Sequence, residues 1–452
     1  MTTTVERERV RASARRTWWP DGLEAAIWVA AAIGVALMLR SGGLQIAAPV
    51  DLVYTLGRAL GIVAAVLMLA QVLLVSRAPY IEQSVGHDRT TALHTRLGTW
   101  AIVLMLMHAS IITGMSAYYD GRGLLDQAVT TFTSAWYLAA AQIALTAFFA
   151  VLATSIAIVR RRLRYESWHV VHLLVYIGIA GAVPHQFLEG STFRDGGAAW
   201  WFWFALYTFA FGSLLVFRFA VPLWRLARHD PRVSEVTPLP DGSVSITVTG
   251  RDMDALGAKP GQFMLWRFLD SARWREAHPF SLSAKPTSTS LRLTVRPSGD
   301  FTRQLASLAP GTRVAAEGPL GIFTHSARQG HGLVLVAAGI GITPIRAMLE
   351  ECDDSEPCTV IVRASGTADS PLLDEVEELV ERAGASLHVL HGPRGDSWTP
   401  RDAPGGLADL VEGVGGRDVF ICGPLAWADA VEADALACGV PRAAVHRERF
   451  AW

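Results

Sequence analysis

Four histidines lie in two apolar stretches, His94 and His108 in one, His172 and His185 in the other. An imidazole placed in hydrocarbon must be desolvated, so a histidine there marks a functional site by default. Fourteen residues of helix put His94 and His108 about 20 Å apart along the axis and within about 40° of one face. Two helices carrying such pairs can hold two stacked b-type haems, each iron taking one axial histidine from each helix. The chemistry would be one-electron transfer across a membrane. The second pair is less regular, because thirteen residues leave His185 about 140° from His172 on an ideal helix. Pro184, with Gly178 and Gly181 upstream, is expected to kink that helix and re-aim His185. His169, one turn before His172, is the alternative ligand, while His87 reads as an interface residue. Arg58 is a charge inside the second apolar run. A haem propionate would satisfy it, and snorkelling to the interface is the alternative.

The elements that must position these residues follow from hydropathy. The chain has 452 residues, a net charge of −1 and 51% hydrophobic residues, and its character changes near residue 225. Six apolar runs precede the break, at 23–40, 52–75, 97–117, 134–159, 169–187 and 199–221. Most reach the roughly 20 residues needed to span hydrocarbon. Lys and Arg crowd one set of loops: Arg7, Arg9, Arg11, Arg15 and Arg16, then Arg77, Arg89 and Arg96, then Arg160, Arg161, Arg162 and Arg164, then Arg225 and Arg228. The opposite loops hold only Arg122 and Arg194. Both termini are therefore expected in the cytoplasm of a multi-pass plasma-membrane protein. His94 and His172 then lie near the inner face, His108 and His185 near the outer. The expected division is a basic cytoplasmic segment at 1–22, a six-helix transmembrane bundle at 23–228, a first soluble domain at 229–326 and a second at 327–452. Four cysteines, all after the break and without CxxC spacing, predict neither a disulfide framework nor an iron–sulfur cluster. Membrane lipid is an expected partner and nucleic acid is not.

The soluble half carries motifs of its own. Short alternating runs such as Ser243–Thr249, Gln262–Trp266 and Leu291–Val295, separated by turns such as Pro238-Leu239-Pro240-Asp241-Gly242, predict a small antiparallel β-barrel. Within it lies His278-Pro279-Phe280-Ser281-Leu282-Ser283. Gly299-Asp300-Phe301-Thr302 opens a short helix whose free N–H groups could meet a pyrophosphate. From residue 331 strands alternate with helices, as in a doubly wound α/β fold. The buried strand Gly332–Ala338 runs into Gly339-Ile340-Gly341-Ile342-Thr343-Pro344, where glycines allow a tight turn and close backbone approach. Phe420-Ile421-Cys422-Gly423-Pro424 ends a later strand at the carboxyl edge, where such folds bind ligands.

In this order, the His-Pro-Phe-Ser, Gly-Ile-Gly-Ile-Thr-Pro and Cys-Gly-Pro segments resemble the ferredoxin–NADP reductase superfamily. Behind six helices with these histidine pairs, the chain resembles the ferric reductase and NADPH oxidase family. The resemblance implies FAD, NADPH or NADH, and two b-type haems, with His94 and His172 on the inner haem and His108 and His185 on the outer. It implies that His278, Pro279, Phe280, Ser281 and Ser283 line the flavin, Ser281 near its N5. Thr302 would hold the FAD pyrophosphate, and Arg296 is expected among the cofactor-binding residues. Gly339, Gly341, Thr343 and Pro344 would hold the dinucleotide, with Cys422, Gly423 and Pro424 beside the nicotinamide. Glu448-Arg449-Phe450 matches the terminal Glu-x-aromatic, so Phe450 would stack on the flavin, with Trp452 the alternative. Strand 360–365 ends without an acidic residue; Arg363 and Ser365, with Arg394 after the next strand, suit a 2′-phosphate and predict NADPH over NADH. Two positions depart from the NADPH oxidase pattern: Ile112 stands where a second outer histidine is usual, and Gly178 where an aromatic lies between the haems. Tyr176 is the nearby substitute for that aromatic. The expected activity is electron transfer from cytoplasmic NAD(P)H to an extracytoplasmic acceptor. Ferric iron or its chelates come first, molecular oxygen second, and an electron-accepting protein partner is the alternative of another class.

Overall fold

The computed structural model describes the chain except residues 1–3, 45–47, 161, 164, 190–196, 365–369, 394–396, 403–404 and 449–452. Ser365, Arg394, Phe450 and Trp452 therefore lie outside the described residues. Two compact units emerge, one built from Pro20–Ile81 with Arg89–Arg218, the other chiefly from Phe219–Trp452.

Among the described residues, six helices are long and apolar enough to cross a membrane. They are Asp21–Gly42, Pro49–Leu74, Arg89–Asp120, Trp136–Ser155, Ser167–Leu188 and Gly197–His229, each overlapping an expected run. Their inward faces bury Leu67, Leu97, Phe148 and Trp203, while Trp100, Phe149, Ile177 and Phe209 stay exposed, as lipid-facing side chains would. Small residues set the closest approaches. A Cβ on Gly178 would sit 2.8 Å from the Phe148 ring, and one on Gly181 would sit 2.9 Å from the Ala140 carbonyl oxygen, so the fourth and fifth spans meet at near-backbone distance. The loop expected between the third and fourth spans contains a helix, Leu124–Ser134.

The fifth span has a local interruption. Helix Tyr165–His172 ends and Leu174–Leu188 begins after a one-residue interruption at Leu173, while the chain stays helical through Pro184. Leu173 N still bonds the His169 carbonyl, and Tyr176 N bonds that of Leu173, a tightened three-residue turn. The tightened turn thus falls between the two ligand candidates.

In the second unit, β1 (Arg232–Pro238), β2 (Val244–Thr249) and β5 (Ser290–Val295) form one antiparallel sheet, ordered β1-β2-β5. β3 (Phe263–Phe268), β4 (His278–Ser281) and β6 (Val314–Leu320) form another, ordered β4-β3-β6. Both sheets are open, which corrects the expected barrel. They are joined by single bridges, Arg232–Arg313 and Leu282–Leu293, and by backbone bonds such as Val233 N to the Thr312 carbonyl and Ser283 N to the Arg292 carbonyl. Trp266, Phe268, Ile246 and Leu293 fill the space between the sheets.

The remaining strands form a five-stranded parallel sheet ordered β11-β10-β7-β8-β9. They are β7 (Leu333–Ala338), β8 (Cys358–Ala364), β9 (Ser386–His391), β10 (Asp418–Cys422) and β11 (Val445–Glu448). Separate apolar clusters cover its two faces, the doubly wound arrangement expected. The order reverses beside β7, so the crevice for a dinucleotide opens at the carboxyl ends of β7 and β10.

Candidate functional site

The membrane unit brings the histidines together in pairs. The rings of His94 and His172 face each other edge to face with centroids 6.1 Å apart. An iron held between two imidazoles needs ring centres roughly 6 Å apart, from two metal–nitrogen bonds of about 2.0 Å and about 1.1 Å from each nitrogen to its ring centre. The spacing fits. Gln71, buried in the second span, places its amide head 2.6 Å from His94 Nδ1. Turned so that its oxygen accepts from Gly98 N at 3.2 Å, that amide donates to His94 Nδ1 and to the His94 carbonyl, which holds the ring in one orientation. His172 stacks on Trp168 at 5.0 Å, and its Nδ1 is buried with no hydrogen-bond partner among the described residues. His169 is exposed on the same turn.

His108 is more tightly held. Its Nδ1 lies 2.8 Å from the Gly57 carbonyl oxygen, which accepts the ring N–H and leaves Nε2 as the coordinating atom. A Cβ on Gly61 would sit 2.6 Å from that Nδ1, and one on Gly57 would sit 2.6 Å from Ile111. The glycines, one turn apart on the second span, form a notch that seats the ring. His185 lies within electrostatic range of His108, and its Nδ1 is likewise buried without a partner. The 6.1 Å facing of His94 and His172, and the Gly57 bond that leaves His108 Nε2 free, are what would suit bis-histidine haems. Arg58, three residues before Gly61, is partly buried. Gly178, which departs from the family's aromatic at this position, makes room for Phe148 of the fourth span.

In the first soluble domain, β4 pairs with β3 so that Ser281 lies opposite Phe263 and His278 opposite Trp266. Trp266 Nε1 donates to the Phe280 carbonyl at 2.9 Å, fixing the strand. Ser281 is buried and its hydroxyl has no partner among the described residues, a spare hydrogen-bonding group where a flavin edge was expected. The His278 ring packs against Phe301 with centroids 3.9 Å apart. Ser283 is turned inward and accepts from Thr294 Oγ1 at 2.9 Å. The Thr302 hydroxyl accepts from Ser298 N and Gly299 N and donates to the Gly299 carbonyl, so it orders the turn's backbone.

The nucleotide motifs converge. A Cβ on Gly341 would lie 2.2 Å from the Cys422 carbonyl oxygen and 2.9 Å from Gly423 N. The two loops therefore touch backbone to backbone, and no residue but glycine fits. Gly423 is pressed against Trp427 and Ala338 in the same way. Arg296, from the end of β5, brings Nη1 to 3.4 Å from where a Gly339 Cβ would be, and pairs with Asp241 at 3.7 Å. Thr343 donates its hydroxyl to the Ile340 carbonyl at 3.0 Å, and Pro344 is buried in the first turn of the helix. Cys422 is fully buried, and burial, with the nearby Glu448 carboxylate adding to it, pushes its thiol well above the usual range. Glu448 pairs with Cys422 in register and reaches 3.1 Å from the Cβ position of Gly321, which also abuts Phe263, the partner of Ser281. Arg363 is buried and spends its guanidinium on the carbonyls of Ala364 and Gly392.

Comparison with known proteins follows the same divisions. Residues 60–183 match the ferric reductase like transmembrane component, 231–322 an FAD-binding domain and 335–442 an oxidoreductase NAD-binding domain. The electron transfer component of toluate 1,2-dioxygenase from Pseudomonas putida is 27% identical over 233 residues, 50% of this chain and 68% of that protein. NADPH oxidase 1 of Mus musculus is 34% identical over 85 residues, 18% of this chain and 14% of that protein. The flavohem-like FAD/NAD binding domain of nitric oxide dioxygenase from Vibrio cholerae matches 48% of this chain and 95% of its own, with 22% identity and a TM-score of 0.40. The chain spans about three fifths of the length of several other curated relatives.

Proposed function

By its architecture the chain belongs to the ferric reductase and NADPH oxidase family, an FAD- and NAD(P)H-binding oxidoreductase module behind six apolar helices, and from that premise we propose that it moves electrons from cytoplasmic NAD(P)H through FAD and two b-type haems to an acceptor outside the plasma membrane, ferric iron or its chelates first. The observation that carries this reading is the 6.1 Å facing of His94 and His172. When bound, the flavin takes a two-electron hydride and the haem irons pass electrons singly.

The chain's own residues do the positioning. Backbone contact between Gly341 and Cys422 shapes the floor on which the nicotinamide lies. A neutral Cys422 thiol keeps negative charge away from the hydride, and the Ser281 hydroxyl offers its hydrogen bond to the flavin edge. Arg296 stands where negative phosphate would gather. In the membrane, the Gly57 carbonyl and Gln71 orient His108 and His94, His172 and His185 would complete the pairs around the haems, and Arg58 would answer a propionate. Among residues outside the described set, Phe450, or Trp452, would cover the flavin until coenzyme enters, and Ser365 with Arg394 would recognise a 2′-phosphate.

An acceptor panel on detergent-purified protein tests the reading, with ferrous iron and superoxide measured in parallel. Ferrous iron formed from soluble ferric complexes, at rates exceeding superoxide, is expected. Superoxide as the main product would move the assignment to oxygen reduction. Activity only with an added protein would make the chain an electron-delivery subunit.

A further inference from the structure

We propose that a recess formed by the second span, the third span and helix Leu124–Ser134 is a binding site for a hard, positively charged metal acceptor. It is open, has a volume of about 430 Å³, and is lined by Asp51, Tyr54, Ser116, Tyr119, Asp120 and Gln127. The proposal rests on the electron-transfer reading above and specifies its acceptor.

Every polar side-chain atom that can coordinate here is oxygen, save the Gln127 amide nitrogen. Carboxylate, phenol, hydroxyl and amide oxygens suit hard cations, and no thiol or imidazole is present to favour a soft one. No Lys or Arg lines the recess. Two carboxylates with no cation among the lining residues attract positive ions and repel polyanionic chelates. The donors are already gathered: Tyr119 OH donates to Asp51 Oδ1 at 2.5 Å, and the Tyr54 and Tyr119 rings meet edge to face at 6.3 Å. Asp51 Oδ2 accepts from Ala48 N at 2.8 Å, which fixes the carboxylate at the start of its helix. Acidic residues at a membrane edge are commonly just solvated. Gln127 argues against that here, because it is only 6% exposed and its Oε1 is buried with no hydrogen-bond partner among the described residues. An unsatisfied amide oxygen on a residue that lines the same recess would gain from a nearby cation.

The recess also lies where electrons would arrive. Tyr119 follows His108 by eleven residues on one helix, about 16 Å along the axis and about 20° around it. Asp51 and Tyr54 precede Gly57, whose carbonyl holds His108, by about two turns or less on the neighbouring helix. A ferric ion held there would gain one electron and become ferrous, with no proton taken up and no covalent bond formed. One NAD(P)H yields two electrons and one proton, and so reduces two ferric ions in turn. The lower charge of the product weakens its hold on the carboxylates and favours its release.

Terbium(III), a hard and redox-inert trivalent ion whose emission neighbouring tyrosines sensitise, is the probe, used on the full chain in non-ionic detergent. Saturable emission is expected from the wild type, with affinity falling roughly tenfold in Asp51→Asn and again in Asp51→Asn/Asp120→Asn. The ratio of kcat/KM for weakly complexed Fe(III) to that for ferricyanide should fall by a similar factor. Should Asp51→Asn lose its haem spectrum, Gln127→Leu and Asp120→Asn carry the same measurement without touching the helix start. Terbium affinity and the kinetic ratio both unchanged in the variants would overturn the site. A wild type that binds terbium at these residues but never reduces Fe(III) would instead overturn the acceptor reading and leave a cation site.

Discussion

The ring of His108 is seated by what two glycines leave out. Gly61→Ala would put a methyl group 2.6 Å from Nδ1, and overpacking of this kind costs about 1–3 kcal/mol. We predict that the variant loses the outer haem and keeps the inner, read as a pyridine haemochrome falling from two haems per chain to one. Gly114→Ala, whose Cβ would meet nothing within 4 Å, should keep both. The histidines were legible from apolar context and spacing; their seats were not. A small residue every fourth position at 57 and 61 was the available signal. Gln71 left a fainter one, a single amide in an apolar run. Cys422 was legible from its Cys-Gly-Pro context, but its charge state was not, since that depends on burial by neighbouring strands. With its thiol held above the usual value of about 8.5, folding favours the protonated form. That contribution is complete below the unfolded value and is lost as pH rises toward the folded one. Cys422 should therefore resist iodoacetamide at pH 8 in the native protein and react on unfolding, as mass spectrometry would report; rapid native labelling would contradict the burial.

Hydropathy located every span because twenty apolar residues have no other common use, and the parallel sheet was equally plain in its uninterrupted apolar strands. The misses were geometric. The fifth span tightens at Leu173, which no residue there signalled in the sequence. The barrel stayed open because closure needs a continuous ladder, and β4 and β5 are linked by the Leu282–Leu293 bridge and the Ser283 N bond to the Arg292 carbonyl. Helix Leu124–Ser134 hid in a polar-looking loop because its apolar residues line only one face. The glycine turn carries the clearest prediction at this scale. Gly341→Ala would drive a methyl into the Cys422 carbonyl at 2.2 Å and push the two loops apart. KM for NAD(P)H should rise at least about tenfold, while dithionite-reduced haem spectra stay normal. An unchanged KM would mean that the loops do not form the coenzyme floor.

For the whole molecule, the order of modules was legible because each has its own period and composition. Coenzyme choice depends on a few residues at one strand end. β8 ends at Ala364 with no carboxylate, and Arg363 turns inward to bind carbonyls, so discrimination should fall to Ser365 and Arg394. NADPH should show the higher specificity constant, and Arg394→Ala should weaken NADPH alone; a higher value for NADH would refute the assignment. Vectorial transfer is the central claim, and reconstituted vesicles test it most directly. Ferricyanide is sealed inside, NADPH is added outside to molecules whose soluble domains face out, and the loss of ferricyanide absorbance is followed. The account predicts loss of the sealed acceptor with wild-type protein and none with His108→Ala. Reduction confined to acceptor on the same side as NADPH would contradict it.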